Sequence, residues 1–309
     1  MSAARKPAPA GSQFAYVLLF FTSLFWGGNA VAGKLAVGEV SPMTLTALRW
    51  VIAFSIMLAI GGRQFWRERH AALPRLPPLF AYGATGFATF NVLFYVAANH
   101  TSAINIAIEQ AAIPMFIFIL NFLIFRMRVT PGQMVGFVMS LVGVAMVASN
   151  GSLARLLALE INRGDAFMLL ACLVYAGYSV GLRYKPELHW KTMMVVMAFS
   201  AMVVSFPFAF IELRSPQGIA PTAQGWLVIL YAAIFPAIIA QVFYIGGVDM
   251  IGSNRAGLFV NLVPVLGTLL AIAILGEVFG LHHALAMVLV IGGIWLAERR
   301  ASAARPPGK

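Results

Sequence analysis

The chain has 309 residues, of which 61% are hydrophobic and only 10% charged, with mean hydropathy +0.88, whereas soluble domains carry about a quarter charged residues. Water is therefore excluded as its main solvent. A formal charge of +11 would suggest nucleic acid in a soluble protein, but here the basic residues sit in short segments between apolar runs, and a single cysteine, Cys172, excludes an intrachain disulfide.

Arg5 and Lys6 ahead of an apolar stretch from Phe14, with Ala30-Val31-Ala32 after it, have the look of a signal peptide. The stretch is long enough to span and many more follow, so it reads as a retained first helix. Apolar runs then predict helices at 14–37, 42–60, 79–98, 103–125, 131–149, 164–184, 191–211, 224–246, 254–275 and 281–298. Short connections rich in Gly, Pro, Ser and Asn join them. With the N-terminus inside, 16 of the 21 Lys and Arg residues fall on the cytoplasmic side and 4 outside, Arg49 alone lying within a span. That bias predicts cytoplasmic termini and accounts for the basic stretch Arg63 to Arg75 as a retention signal, with no nucleic acid as partner.

The chain also repeats itself. A shift of 150 residues carries Pro114 onto Pro264, Val138 onto Val288, Gly143 onto Gly293 and Asn91 onto the amide of Gln241, and a shift of 149 carries Trp26-Gly27-Gly28 onto Tyr175-Ala176-Gly177. Five helices per half is an odd number, so the halves insert in opposite directions. The expected fold is an all-α membrane protein of ten transmembrane helices in two inverted five-helix repeats. Its expected parts are a tail at 1–13, repeats at 14–150 and 164–298, and a tail at 299–309. Inverted repeats are characteristic of secondary transporters with a midplane site.

These residues resemble the drug/metabolite transporter superfamily, and within it the ten-helix EamA-type exporters. The resemblance spans about 14–298 and rests on Trp26-Gly27-Gly28-Asn29, Lys34, Pro42, Arg49, Leu275-Gly276-Glu277 and Gly292-Gly293. Two departures stand out: Arg126-Met127-Arg128 replaces the Gly-Glu pair in the first half, and Ala198 lies opposite Arg49. The resemblance implies export of small metabolites by alternating access across a bacterial inner membrane. Aromatic or other neutral amino acids are the substrates it suggests first, with drugs or other metabolites as the alternative.

Ionisable groups inside a bilayer are costly and are functional candidates. Glu109 is read as the only acid deep in a span, about 10 Å into its helix and one turn from Asn105, placed to bind a substrate amine or carry a coupling proton. Pro114 and Pro264 interrupt corresponding helices and predict paired breaks that serve gating. Polar and aromatic stripes suit a cavity for a zwitterion with an apolar side chain: Trp26 with Asn29; Phe87, Asn91 and Tyr95; Tyr175 and Tyr178; Gln241 and Tyr244; Asn254 and Asn261. Arg49 is expected to be a structural charge that pairs with an acid or snorkels. Lys34, Arg183 and Arg255 should snorkel at span ends. His100 and the adjacent His282 and His283 are not placed to hold a metal, and no cofactor is expected.

Gly132, Gly136 and Ser140 form a small-residue ridge for close helix packing. Zinc, serine-nucleophile and P-loop motifs are missing from the sequence, which argues against a membrane enzyme or an ATP pump. A channel would need a continuous polar pore.

Overall fold

The computed structural model describes residues 10–126, 131–149, 151, 152, 154, 162–216, 218–251, 256 and 259–303. The expected Asn254, Arg155, Arg128 and Arg255 lie outside the described residues, as do the terminal Arg5, Lys6, Arg305 and Lys309. Among the described residues every regular element is helical.

The spanning elements are α1 (Ala10–Leu35), α2 (Pro42–Ala72), α3 (Leu76–Tyr82, continued to Ala98), α4 (Ala103–Phe125), α5 (Pro131–Ala148), α6 (Arg163–Gly181), α7 (Trp190–Leu213), α8 (Ala223–Ile251), α9 (Val263–Leu275) and α10 (Leu281–Ala303). The first half comprises α1 to α5 and the second α6 to α10. Several boundaries differ from expectation, α2 by the most, and α10 runs to Ala303 where 298 was expected. α2 runs on past residue 60 to Ala72 and passes through a single 3-10 turn, Leu73–Arg75, into α3. Its 31 residues make a rod of about 46 Å, longer than a hydrocarbon core of about 30 Å. The apolar run ends where the charges begin, but Arg63, Arg67, Glu68 and Arg69 are good helix formers, so the helix continues into water. α8 similarly extends to Ile251.

The packing follows the repeat. α2 lies along α7 and α5 along α10; α1 packs against α8 and α9, and α6 against α3 and α4; α4 and α9 meet at the centre. Exchanging each helix with the one five places later reproduces this scheme. In a bilayer lipid tails are as apolar as Leu, so contact area alone drives little association, and close approach and hydrogen bonds carry more of it. A Cβ on Gly27 of α1 would sit 2.7 Å from the backbone nitrogen of Gly267 on α9. Ser140 donates to the Val290 carbonyl at 3.4 Å, and Gly293 packs on Gly136, so the small-residue ridge joins α5 to α10 within the chain.

Helix ends are tied by carboxylates from the partner element, where the dipole favours negative charge. Glu212, at the end of α7, accepts from the Met43 and Thr44 backbone N–H groups at 3.3 and 2.8 Å at the start of α2. Glu68, near the end of α2, accepts from the His189 N–H at 3.1 Å at the start of α7. Glu277 of the Leu275-Gly276-Glu277 motif accepts from Ala103 and Ile104 at 2.8 and 2.9 Å, capping α4.

Candidate functional site

Irregular backbone recurs at matching places in the two halves. α3 widens into a π turn at Gly83–Thr89 and α8 at Phe235–Ile239, overlapping positions under the 150-residue shift. Nothing in the sequence pattern announces them, because one is built on glycines and the other on Pro236. Gly83 is there because a Cβ would overlap the Met197 carbonyl of α7, and Gly86 because one would overlap the Tyr178 ring. The indole N–H of Trp26 reaches the Pro236 carbonyl at 3.2 Å.

Pro114 and Pro264 each stand at the start of a new helical segment. In α4 a 3-10 turn, Gln110–Ala112, precedes Ile113, whose N–H bonds to the Gln110 carbonyl. The Glu109 carbonyl thereby loses its regular partner, and the Cys172 thiol donates to it at 3.4 Å. In the second half Ser23 Oγ donates to the Phe259 carbonyl at 2.6 Å. Cys172 is Ser23 shifted by 149 and Phe259 is Glu109 shifted by 150, so the two bonds are equivalents under the repeat. Cys172 is thus buried, as its small apolar character suggests, and also closes a break.

Around these breaks the sequence candidates sort into two groups. The first lies between α1, α2, α3 and α6, with α8 beside it. Arg49 is buried yet meets neither an acid nor the span end: its Nη1 donates to Asn91 Oδ1 at 2.5 Å and to the Tyr95 hydroxyl at 2.7 Å. Tyr95 in turn donates to Asn29 Oδ1 at 2.9 Å. One amide and a phenol solvate the charge that a carboxylate was expected to pair. Arg49 Nε and the neighbouring Trp50 Nε1 are buried donors with no acceptor.

The Trp50 ring stacks on Phe87 at 4.7 Å, Phe87 meets Tyr178 at 6.1 Å, and Tyr178 meets Tyr175 at 5.3 Å. Trp26 faces Tyr244 at 5.5 Å from the other side. Tyr175, Tyr178, Trp26, Tyr244, Gln241 and Asn261 are all half-buried. Gln241 and Asn261 do not enter the Arg49 network. Trp50 was missed in the sequence because one tryptophan in mid-span reads as packing surface, and only the stacking on Phe87 shows what it faces.

The second group holds Asn105 and Glu109 on the fully buried first part of α4. Glu109 is 0% exposed and neither carboxylate oxygen has a hydrogen-bond partner. It is not the only deep acid. Asp165, on the first turn of α6, is also 0% exposed, accepts from Thr101 Oγ1 and, at 3.3 Å, from Asn105 Nδ2, and is close enough to act electrostatically on Glu109. Two residues from Arg163 it resembles a dipole-capping acid, but Asn162 already caps α6 through Gly164 at 2.9 Å. Only the packing of α6 on α4 reveals its place.

Above this group opens a cavity of about 410 Å³, lined among others by Lys34, Thr101, Asn105, Glu277 and His283. Lys34 points inward and its Nζ donates to the Ala98 and Thr101 carbonyls at 3.2 and 2.9 Å, capping α3. His283 Nδ1 accepts from the Gly280 N–H at 3.0 Å, so its Nε2–H donates to Asn105 Oδ1 at 3.3 Å. His100 is exposed, and the described residues hold no cluster of three or more metal-ligating groups.

Two copies of one architecture, broken at matching places around buried polar groups, have a counterpart among known proteins: the profile of the EamA-like transporter family matches residues 13–149 and again 162–298. The chain belongs to that family. Among its relatives, the uncharacterized transporter YyaM of Bacillus subtilis (strain 168) is 29% identical over 295 residues, covering 92% of this chain and 93% of its own. The uncharacterized inner membrane transporter YedA of Escherichia coli (strain K12) is 22% identical over 284 residues, covering 90% and 88%. A solved crystal structure shares the fold with TM-score 0.62 at 21% identity, over 94% of this chain and 99% of that one. The protein is therefore an integral membrane transporter of a small molecule, not an enzyme.

Proposed function

We propose that this transporter exports neutral and aromatic amino acids by alternating access between its two halves, from a bacterial inner membrane with both termini in the cytoplasm. The observation that carries the substrate reading is the pair of buried donors without acceptors, Arg49 Nε and Trp50 Nε1, beside the aromatic wall of Phe87, Tyr175 and Tyr178. A buried donor left unpaired is costly by about 1–3 kcal/mol, so an arriving carboxylate gains from filling it. The aromatic rings would then meet the substrate side chain, with Trp26, Asn29, Asn91, Tyr95, Gln241, Tyr244 and Asn261 completing the cavity. Rocking around the breaks at Pro114 and Pro264 would expose the site to either side.

Liposomes holding only this protein test the reading. Labelled phenylalanine, leucine and their decarboxylated amines are compared; saturable flux of the amino acids alone is expected. No saturable amino-acid flux, or equal movement of the amines, overturns it, the latter in favour of a drug exporter. Orientation is read by cysteine labelling at Ser152 in a Cys172-free background. Modification only from the cytoplasmic side would reverse the proposed topology.

A further inference from the structure

One polar group takes no part in the aromatic cavity. Asn105 and Glu109 stand one turn apart on one face of α4, and Thr101, in the turn before the helix, accepts from Asn105 Nδ2 at 3.1 Å, so the three lead from the 410 Å³ cavity into the protein. Asp165 faces them from α6. Its Oδ1 takes both donors, the Thr101 hydroxyl and the Asn105 amide, while its Oδ2 is buried with none. The polarity of the chain is set from the far end: Gly280 holds His283 Nδ1, His283 Nε2–H holds Asn105 Oδ1, and the Asn105 NH2 is thereby turned toward Asp165.

Three of four carboxylate oxygens, Asp165 Oδ2 and both of Glu109, thus lack a donor although both residues are 0% exposed. Two ionised carboxylates buried out of water with three oxygens unpaired require a positive partner. A substrate ammonium does not fit, since Glu109 is sealed on every side. Nor does a metal ion have a coordination shell there, among the described residues. A proton needs no such space.

We propose that Asp165 and Glu109 are a proton-carrying pair, loaded from the cavity through Thr101 and Asp165 Oδ2, and set apart from the aromatic substrate wall. Asn105 and His283 are positioning residues that keep Asp165 Oδ1 occupied and Oδ2 free. The other titratable groups on the packed elements are Arg163, Cys172, Tyr175 and Tyr178 on α6, His282 and, at its far end, Glu298, Arg299 and Arg300 on α10, Glu277 before it, Tyr82 and Tyr95 on α3, His100 after it, and Tyr16 and Lys34 on α1; α5 and α9 bring none. Lys34 is engaged by carbonyls and Glu277 by backbone N–H groups, which leaves the pair to take the proton. The coupling role rests on the transport reading above, in which the cavity faces outside and an inward proton would drive export.

Acid-minus-base infrared difference spectra of the full-length protein in lipid test the pair without any substrate. Above the band of the exposed acids, a carboxylic C=O component at the high frequency of a carboxyl without hydrogen bonds is expected that shrinks in Glu109→Gln and in Asp165→Asn and vanishes in the double variant. A component untouched by both substitutions, or no such component at all, overturns the proposal. In liposomes, phenylalanine accumulation driven by an acid lumen, whose protons leave as phenylalanine enters, should fall by about tenfold or more in Glu109→Gln, while phenylalanine counterflow, which needs no net proton movement, persists and shows the variant folded. Unchanged acid-driven accumulation would sink the coupling. If the parent moves no phenylalanine, the amino-acid reading fails by itself and the infrared result still decides the pair.

Discussion

The two halves share a backbone plan and differ in what they place on it. Each breaks its fourth helix at a proline and closes the loosened carbonyl with a side chain from the other half's first helix, yet one break carries Glu109 and the other Phe259. Each widens its third helix, yet only the first half puts an arginine opposite, since Ala198 holds the place of Arg49. In the proposed mechanism, symmetry of the backbone would serve a movement that the two halves exchange, and asymmetry of the side chains would serve chemistry that needs one site. Charge is costly in a bilayer, and the duplicated scaffold does not copy it: Arg49 and Glu109 of the first half and Asp165 of the second have the uncharged Ala198, Phe259 and Tyr16 at the equivalent places.

The largest effect should come from breaking the asymmetry at its charge. Arg49→Gln should reduce amino-acid flux by about thirtyfold or more, the loss expected when a buried charge partner is removed. Ala198→Ser, at the equivalent place, should change it by less than about twofold. Equal losses at both would mean that Arg49 acts only as scaffold.

Packing offers the next contrast. Gly27→Ala forces a Cβ onto the Gly267 backbone and should destabilise by about 1–3 kcal/mol, whereas Gly177, which has open space around it, should tolerate Ala or gain up to about 1 kcal/mol from helix propensity. Thermal unfolding in detergent would show midpoints moving in opposite directions. Two falls would place a neighbour at Gly177 as well.

The closing bonds at the breaks differ in strength. Ser23→Ala should cost about 1–2 kcal/mol and Cys172→Ala less than about 1, because a thiol is a weak donor and stands at 3.4 Å against 2.6 Å for the hydroxyl. A larger loss for Cys172 would show that the first break depends on it. The smallest effect is expected where the halves differ at a helix end. Arg126 holds φ 51 at the end of α4 where Gly276 holds φ 66 at the end of α9. Arg126→Gly should raise stability by about 1 kcal/mol and Gly276→Ala lower it by a similar amount, read from the same midpoints.

Much of this was legible in the chain. Apolar length, the placement of Lys and Arg, and the 150-residue self-match determine ten spans in two opposed halves, because lipid rejects an unpaired backbone and leaves the helix as the solution. Pro114 and Pro264 announce the breaks, since a missing N–H is a local property. The π turns, the Cys172 and Ser23 closures, the solvation of Arg49 by Asn91 and Tyr95, and the approach of Asp165 to Glu109 were not legible. Each depends on which helix faces which across the two halves, and a residue's spacing along its own helix says which side it is on but not what stands opposite.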